Sequence, residues 1–170
     1  VELVYRDDLF ACDFESRVGS RGKDIQRRLF DAADLVLFAS NYDVSQPFCI
    51  NALINRASGA GIPLYFLGKK QFGHNLNWVV RLPQEARAEL RNQPLSSAIV
   101  EDEQASQAIP ATHYISMMDP LTNASGIVIT DDEGYLLSGD RTHVTRHGAI
   151  YLGRQVLKNT PISNLLPLKR

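Results

Sequence analysis

Towards the end of the chain the sequence reads Ser138-Gly139-Asp140-Arg141-Thr142-His143-Val144-Thr145-Arg146-His147-Gly148-Ala149. It sets a carboxylate three residues before an imidazole, Asp140-x-x-His143. In a tight turn that spacing brings the Asp oxygen to Nδ1 of the ring. The carboxylate then fixes the tautomer and stabilises the imidazolium, while Nε2 is left to take a proton from a hydroxyl nucleophile. Asp and His three apart also occur by chance. This pair stands between the apolar Tyr135-Leu136-Leu137 and an apolar final helix, with Gly148 five residues after the His.

Other chemistry-bearing residues are weaker. Phe72-Gly73-His74-Asn75-Leu76-Asn77 combines an aromatic with amides, a composition suited to a carbohydrate cleft, and makes His74 and Asn75 candidate substrate-binding residues. His113 reads as a half-buried strand residue. His143-x-x-x-His147 has no adjacent carboxylate ligand set, so no metal is expected. Asp131-Asp132-Glu133 lacks the alternating oxygen ligands of a calcium loop and reads as a solvated turn. Cys12 and Cys49 have no metal-ligand spacing; they read as two buried free thiols, with a single bridge between them as the other reading. No glycine-rich phosphate loop follows a first strand, so no cofactor is expected.

The elements that must position these residues follow from composition and period. A chain of 170 residues, 44% hydrophobic and 22% charged, fits one soluble domain over 1–170. A net charge of -1 removes the electrostatic attraction on which non-specific nucleic-acid or anionic-membrane binding depends. A small, neutral or saccharide-like partner fits better, and oligomeric state is left open. No apolar run approaches the roughly 20 residues of a membrane helix. A soluble cytoplasmic protein is favoured over a periplasmic one. The chain opens at Val1 directly on a strand-like run, with no leader, and reads as a piece of a longer product.

Period then predicts a strand at 1–5, a helix at 22–33, a buried strand at 35–39, a helix opened by Pro47 with Ile50, Leu53, Ile54 and Ala57 on one face, and a strand at 62–67. Gly59-Ala60-Gly61 stops the second helix. Further helices are predicted at 83–92 and 97–108, a strand at 112–118 and a hairpin about 131–134. The final helix, 148–158, turns Ala149, Leu152, Val156 and Leu157 inward. Such alternation predicts an α/β fold, a three-layer α/β/α sandwich with a central parallel sheet.

Asp140-x-x-His143-x-x-x-x-Gly148 before an apolar helix resembles the last block of the SGNH/GDSL hydrolase superfamily, which comprises serine esterases, lipases and carbohydrate O-acyl-transferring or deacetylating enzymes. Residues 33–43, an apolar strand ending in Asn41, resemble the third block, whose Asn side chain lines the oxyanion hole. Val18-Gly19-Ser20-Arg21-Gly22 resembles the second block, in which a glycine N–H is another donor, and Gly19 fits that role better than Gly22. The order from Tyr114 through Asp119-Pro120 to the Asp-His block is similar to SGNH domains fused to membrane acyltransferases that O-acetylate surface polysaccharides. The cysteine pair those domains often carry between Asp-Pro and Asp-His is missing.

The first block, a strand followed by Gly-Asp-Ser, is also missing: the one Gly-Asp is Gly139-Asp140, followed by Arg141. The resemblance therefore implies a flavodoxin-like SGNH domain whose first strand and nucleophilic serine lie upstream of Val1, so that the chain alone is inactive. Ser20 is the conceivable substitute within the chain, but Gly19-Ser20-Arg21-Gly22 is not the elbow spacing Gly-x-Ser-x-Gly, and a serine before a helix reads rather as an N-cap or turn residue. Asp140 and His143 would be catalytic. Gly19 and Asn41 would form the oxyanion hole, each good donor contributing roughly 3–4 kcal/mol to the transition state. The substrate would be a small-molecule ester or acylated glycan. Two rivals remain at this point, a catalytically silent SGNH-like domain that binds a glycan or protein, and an unrelated flavodoxin-like binding domain.

Overall fold

The computed structural model describes residues 28–39, 44–45, 47–88, 90–160 and 162. The predicted strand at 1–5, Cys12, Gly19, Ser20, the first half of the predicted helix at 22–33 and Asn41 lie outside the described residues. The chain divides into two compact units, one of residues 1–67 and 104–114, the other of 68–103 and 115–170.

The first unit carries the parallel sheet. Strand β1 (Val36–Phe38) pairs in parallel with β2 (Leu64–Leu67), placing Val36 opposite Leu64 and Phe38 opposite Phe66. Strand β4 (Tyr114–Ile115) completes the order β1-β2-β4. Its bonds run Phe66 N–H to the His113 carbonyl and Gly68 N–H to the Ile115 carbonyl, donors and acceptors rising together as parallel pairing requires. Between β1 and β2 runs helix α1 (Pro47–Ala60), with Pro47 in the first turn where its missing N–H costs nothing.

The end of α1 follows from its glycine. Gly61 takes φ +69°, its N–H reaches the Ser58 carbonyl and the Ile62 N–H reaches that of Ala57, the paired bonds of a Schellman cap. The buried face is Cys49, Ile50, Leu53 and Ala57, with Ile54 partly covered, against Phe38, Ile62, Leu64, Phe66 and Ile109. Phe38 and Phe66 meet in a tilted pair with centroids 5.5 Å apart. Cys49 is not a free thiol: it is 1% exposed and disulfide-bonded.

The second unit is built on a small antiparallel sheet, β3 (Arg91–Asn92), β6 (Gly126–Val128) and β5 (Thr122–Asn123), in the order β3-β6-β5. The predicted helix at 83–92 does not form. Pro83 leads instead into a single 3-10 turn, Gln84–Ala86, and Arg91 pairs with Val128. Helix α2 (Ser96–Ala108) and helix α3 (Arg146–Asn159) stand close to their predicted bounds. The predicted hairpin forms through the bridge Thr130 to Leu136 and the Leu137 N–H to Ile129 carbonyl bond. On α3, Leu152 is buried and Val156 and Leu157 are half-buried, but Ala149 faces solvent, because the buried residue of the first turn is Gly148.

Gly148 is required by packing rather than by φ. A Cβ there would collide with the backbone of Leu137, chiefly its carbonyl oxygen. Gly153, on the same helix, has nothing near its missing Cβ. Opposite signs follow from the same substitution. Gly153→Ala should stabilise by about 0.5–1 kcal/mol through helix propensity. Gly148→Ala should destabilise by about 1–3 kcal/mol through overpacking against fixed backbone. Urea unfolding of the two variants checks this, and equal effects would refute the close approach.

Candidate active site

The hairpin ends at Leu137, and the chain turns through 138–145 before entering α3. Ser138, fully buried, organises the turn. Its Oγ donates to the His143 carbonyl at 2.8 Å and accepts from the backbone N–H groups of Arg141 at 2.9 Å and Asp140 at 3.3 Å. Thr145 closes it as the cap of α3, accepting from Gly148 N–H at 3.0 Å and donating to the Leu136 carbonyl, while its own N–H bonds to the Leu137 carbonyl. Arg141 sits at φ +99°, a left-handed conformation costly for a side chain of this size, held here by these surrounding bonds.

Within this turn Asp140 and His143 meet as the spacing predicts. Asp140 Oδ1 accepts from the backbone N–H of His143 at 2.8 Å and of Thr142 at 3.0 Å, and Oδ2 lies 2.6 Å from His143 Nδ1. The His143 backbone bond, then its ring bond, then the Thr142 N–H hold the Asp140 carboxyl well below the usual carboxylate range. An ionised carboxylate only accepts, so Nδ1 is the donor in this contact and Nε2 is not engaged by it. The imidazole is 87% exposed and open to an incoming hydroxyl.

The loop at 68–77 is tied to this turn by the Phe72 N–H to Arg141 carbonyl bond at 2.8 Å. Together they line a cavity of about 390 Å³ formed by Asn75, Leu76, Asn77, Gly139, Asp140 and Arg141. Asn75 thus lines the same cavity as Asp140, its Oδ1 accepting from Asn77 N–H at 2.8 Å. His74 is exposed and is not among the lining residues; its carbonyl accepts from Asn92 Nδ2, which also bonds the Phe72 carbonyl and so fixes the loop. The oxyanion candidates Gly19 and Asn41, and Ser20, lie outside the described residues.

Sequence reasoning missed Ser138, Asn77, Arg141 and Asn92. The signal for Ser138 was its place before Gly139-Asp140; Asn92 carried none, since its bonds reach back 18 and 20 residues. Asp131 is not merely a solvated turn residue: its Oδ2 lies 2.9 Å from His147 Nδ1. His113 is half-buried with Nδ1 2.9 Å from the Leu64 carbonyl. Among the described residues no group of His, Cys, Asp or Glu is placed to hold a metal ion, and no helix is long and apolar enough to cross a membrane.

No family model matches the chain, and no curated protein matches it. Among solved structures it is similar to the periplasmic domain of the lipopolysaccharide acetyltransferase of Salmonella ser. Paratyphi A, with a TM-score of 0.57 and 17% identity, over 80% of this chain and 60% of that one. The chain therefore spans less than two thirds of that domain's length. This likeness shows the fold, an α/β architecture compatible with the SGNH type.

Because its pKa is lowered on folding, Asp140 keeps its charge in the folded chain as pH falls through the ordinary range near about 4. Its stabilising contribution is fully present above that range and is lost progressively as pH falls from there through the lower folded value. The carboxyl carbon of Asp140, followed by NMR, should show no midpoint near that pH. A midpoint there would mean the turn bonds do not persist in solution.

Proposed function

We propose that the chain carries the acid-base half of a serine-type acyl-transfer site, acting in carbohydrate O-acyl transfer or deacylation, with the nucleophile supplied from outside the 170 residues. The observation that carries the reading is the 2.6 Å contact of His143 Nδ1 with a carboxylate kept ionised by backbone N–H groups. In the first half-reaction the serine hydroxyl attacks the acyl carbonyl and its proton passes to His143 Nε2. Asp140 stabilises the imidazolium, and the oxyanion donors are those the sequence resemblance assigns, Gly19 and Asn41. Collapse expels the first alcohol, which takes the proton back from Nε2. A sugar hydroxyl or water then repeats the sequence in reverse and releases the acyl group.

The glycan preference is supported by the cavity beside Asp140, where the amides of Asn75 and Asn77 and the apolar Leu76 match the hydroxyls and ring face of a sugar. The structural neighbour, a lipopolysaccharide acetyltransferase domain, points the same way. His74 is retained as an outer contact. The Cys49 disulfide supports an oxidising compartment such as the periplasm in place of the cytoplasm. A second reading, a silent domain that binds a glycan or a protein, is favoured by the absence of Gly-Asp-Ser from the sequence.

In a longer protein bearing the upstream segment, His143→Ala should lower kcat/KM for p-nitrophenyl acetate by about 10²–10⁴-fold with the fold intact by circular dichroism. Asn75→Ala should raise KM for a glycan acceptor and leave ester hydrolysis unchanged. The 170-residue chain alone should show no turnover. Equal activity of His143→Ala and the parent would exclude the enzyme reading, and glycan binding without turnover by the longer protein would establish the second.

A further inference from the structure

A second imidazole-carboxylate pair stands at the base of the same turn. Asp131 Oδ1 accepts from the backbone N–H groups of Glu133 at 3.1 Å and Tyr135 at 2.8 Å, so its side chain is fixed by its own hairpin. Its Oδ2 faces His147 Nδ1 at 2.9 Å, and the carboxylate is 20% exposed against 53% for Asp140. The Tyr135 ring stacks on the His147 ring, with centroids 4.0 Å apart and planes 18° from parallel. Hairpin and helix start are thereby joined on two sides, by this contact and by the bonds of Thr145 to Leu136 and Leu137.

We propose that Asp131, His147 and Tyr135 form a clamp that positions the Asp140–His143 turn by fixing the first turn of α3 against the hairpin. Residues 139–143 of the turn are exposed, and among the described residues the hydrogen bonds to the Asp140 carboxylate come from the turn itself. Beyond the bonds of Ser138 within it and the Phe72 N–H on the Arg141 carbonyl, its geometry is set by where its two ends are held, Leu137 on the hairpin and Thr145 on the helix. His147 is two residues beyond Thr145, and Asp131 belongs to the hairpin that delivers Leu137. Loss of the clamp frees the helix start to shift, and a shift of about 1 Å at a reacting group is enough to cost about 10²-fold in rate. His147 in this role is a positioning residue. It touches no reacting atom.

The catalytic meaning of the clamp rests on the proposed function, but its test does not require turnover. In the 170-residue chain labelled with ¹⁵N-histidine, long-range ¹H–¹⁵N correlation reads the tautomer of each imidazole at neutral pH. His147→Phe keeps a ring on Tyr135 and removes the bond to Asp131. His147→Asn drops the ring but sets Nδ2 where Nδ1 stood and keeps the bond. The clamp predicts that His147→Phe reduces the Nδ1–H population of His143 and speeds amide exchange at Thr142 and His143, and that His147→Asn restores both. His147→Ala, as a second break, should behave as His147→Phe does.

Asp140→Asn is the reference for a turn whose dyad is lost. Unchanged His143 tautomer and exchange in both His147→Phe and His147→Ala, with Asp140→Asn altered, would overturn the clamp and leave the dyad standing. An Asp140→Asn variant no different from the parent would instead remove the dyad, and with it the proposed function.

Discussion

The chemistry proposed for this chain depends on one carboxylate, both of whose oxygens accept hydrogen bonds. An exposed ion pair between Asp and His is worth little in water, because solvent and side-chain entropy offset the attraction. Asp140 is held by something more local. Two backbone N–H groups, from Thr142 and His143, bind one oxygen and leave the other aimed at the ring of the same His143. The backbone course of the turn thus decides the orientation of the imidazole, and the turn is in its own right decided by Ser138 beneath it and Thr145 at its exit. Arg141 accepts an unfavourable φ so that the three-residue spacing can close.

Packing further away serves the same end. Gly148 lets α3 press its first turn onto Leu137, so the helix that follows His143 begins directly on the strand that precedes Asp140. The Phe72 N–H bond to the Arg141 carbonyl ties the loop of Asn75 to the turn, the Asn92 side-chain amide holds the carbonyls of Phe72 and His74 in that loop, and loop and turn line one cavity with Asp140 in its wall. The turn is thus held by hydrogen bonds within it and at its exit, while its imidazole is 87% exposed.

What could be read in the sequence was what is local. The Asp-x-x-His dyad spans three residues, and the Schellman end of α1 needs only Gly61 and its neighbours. The face of α1 follows its period, and β1 and β2 are apolar where Phe38, Leu64 and Phe66 meet that face, although Leu37 of β1 is exposed. The rest required tertiary partners. Residues 83–92 have helical composition, but Arg91 finds a strand, Val128, far along the chain. Ala149 fits an apolar period, yet the close approach at Gly148 rotates the buried side of α3 away from it. Asp131 and His147 are 16 residues apart and become neighbours only once the hairpin has folded. For Gly148, spacing marked the position and only the Leu137 carbonyl explains it.

The most direct measurement is labelling of the longer protein with a fluorophosphonate, read by peptide mass mapping, in the parent and in His143→Ala. A His143 base acting on a hydroxyl outside these residues requires one serine, upstream of Val1, to be labelled in the parent and spared in the variant. Equal labelling in both, or a label on a serine between Val1 and Arg170, would contradict it.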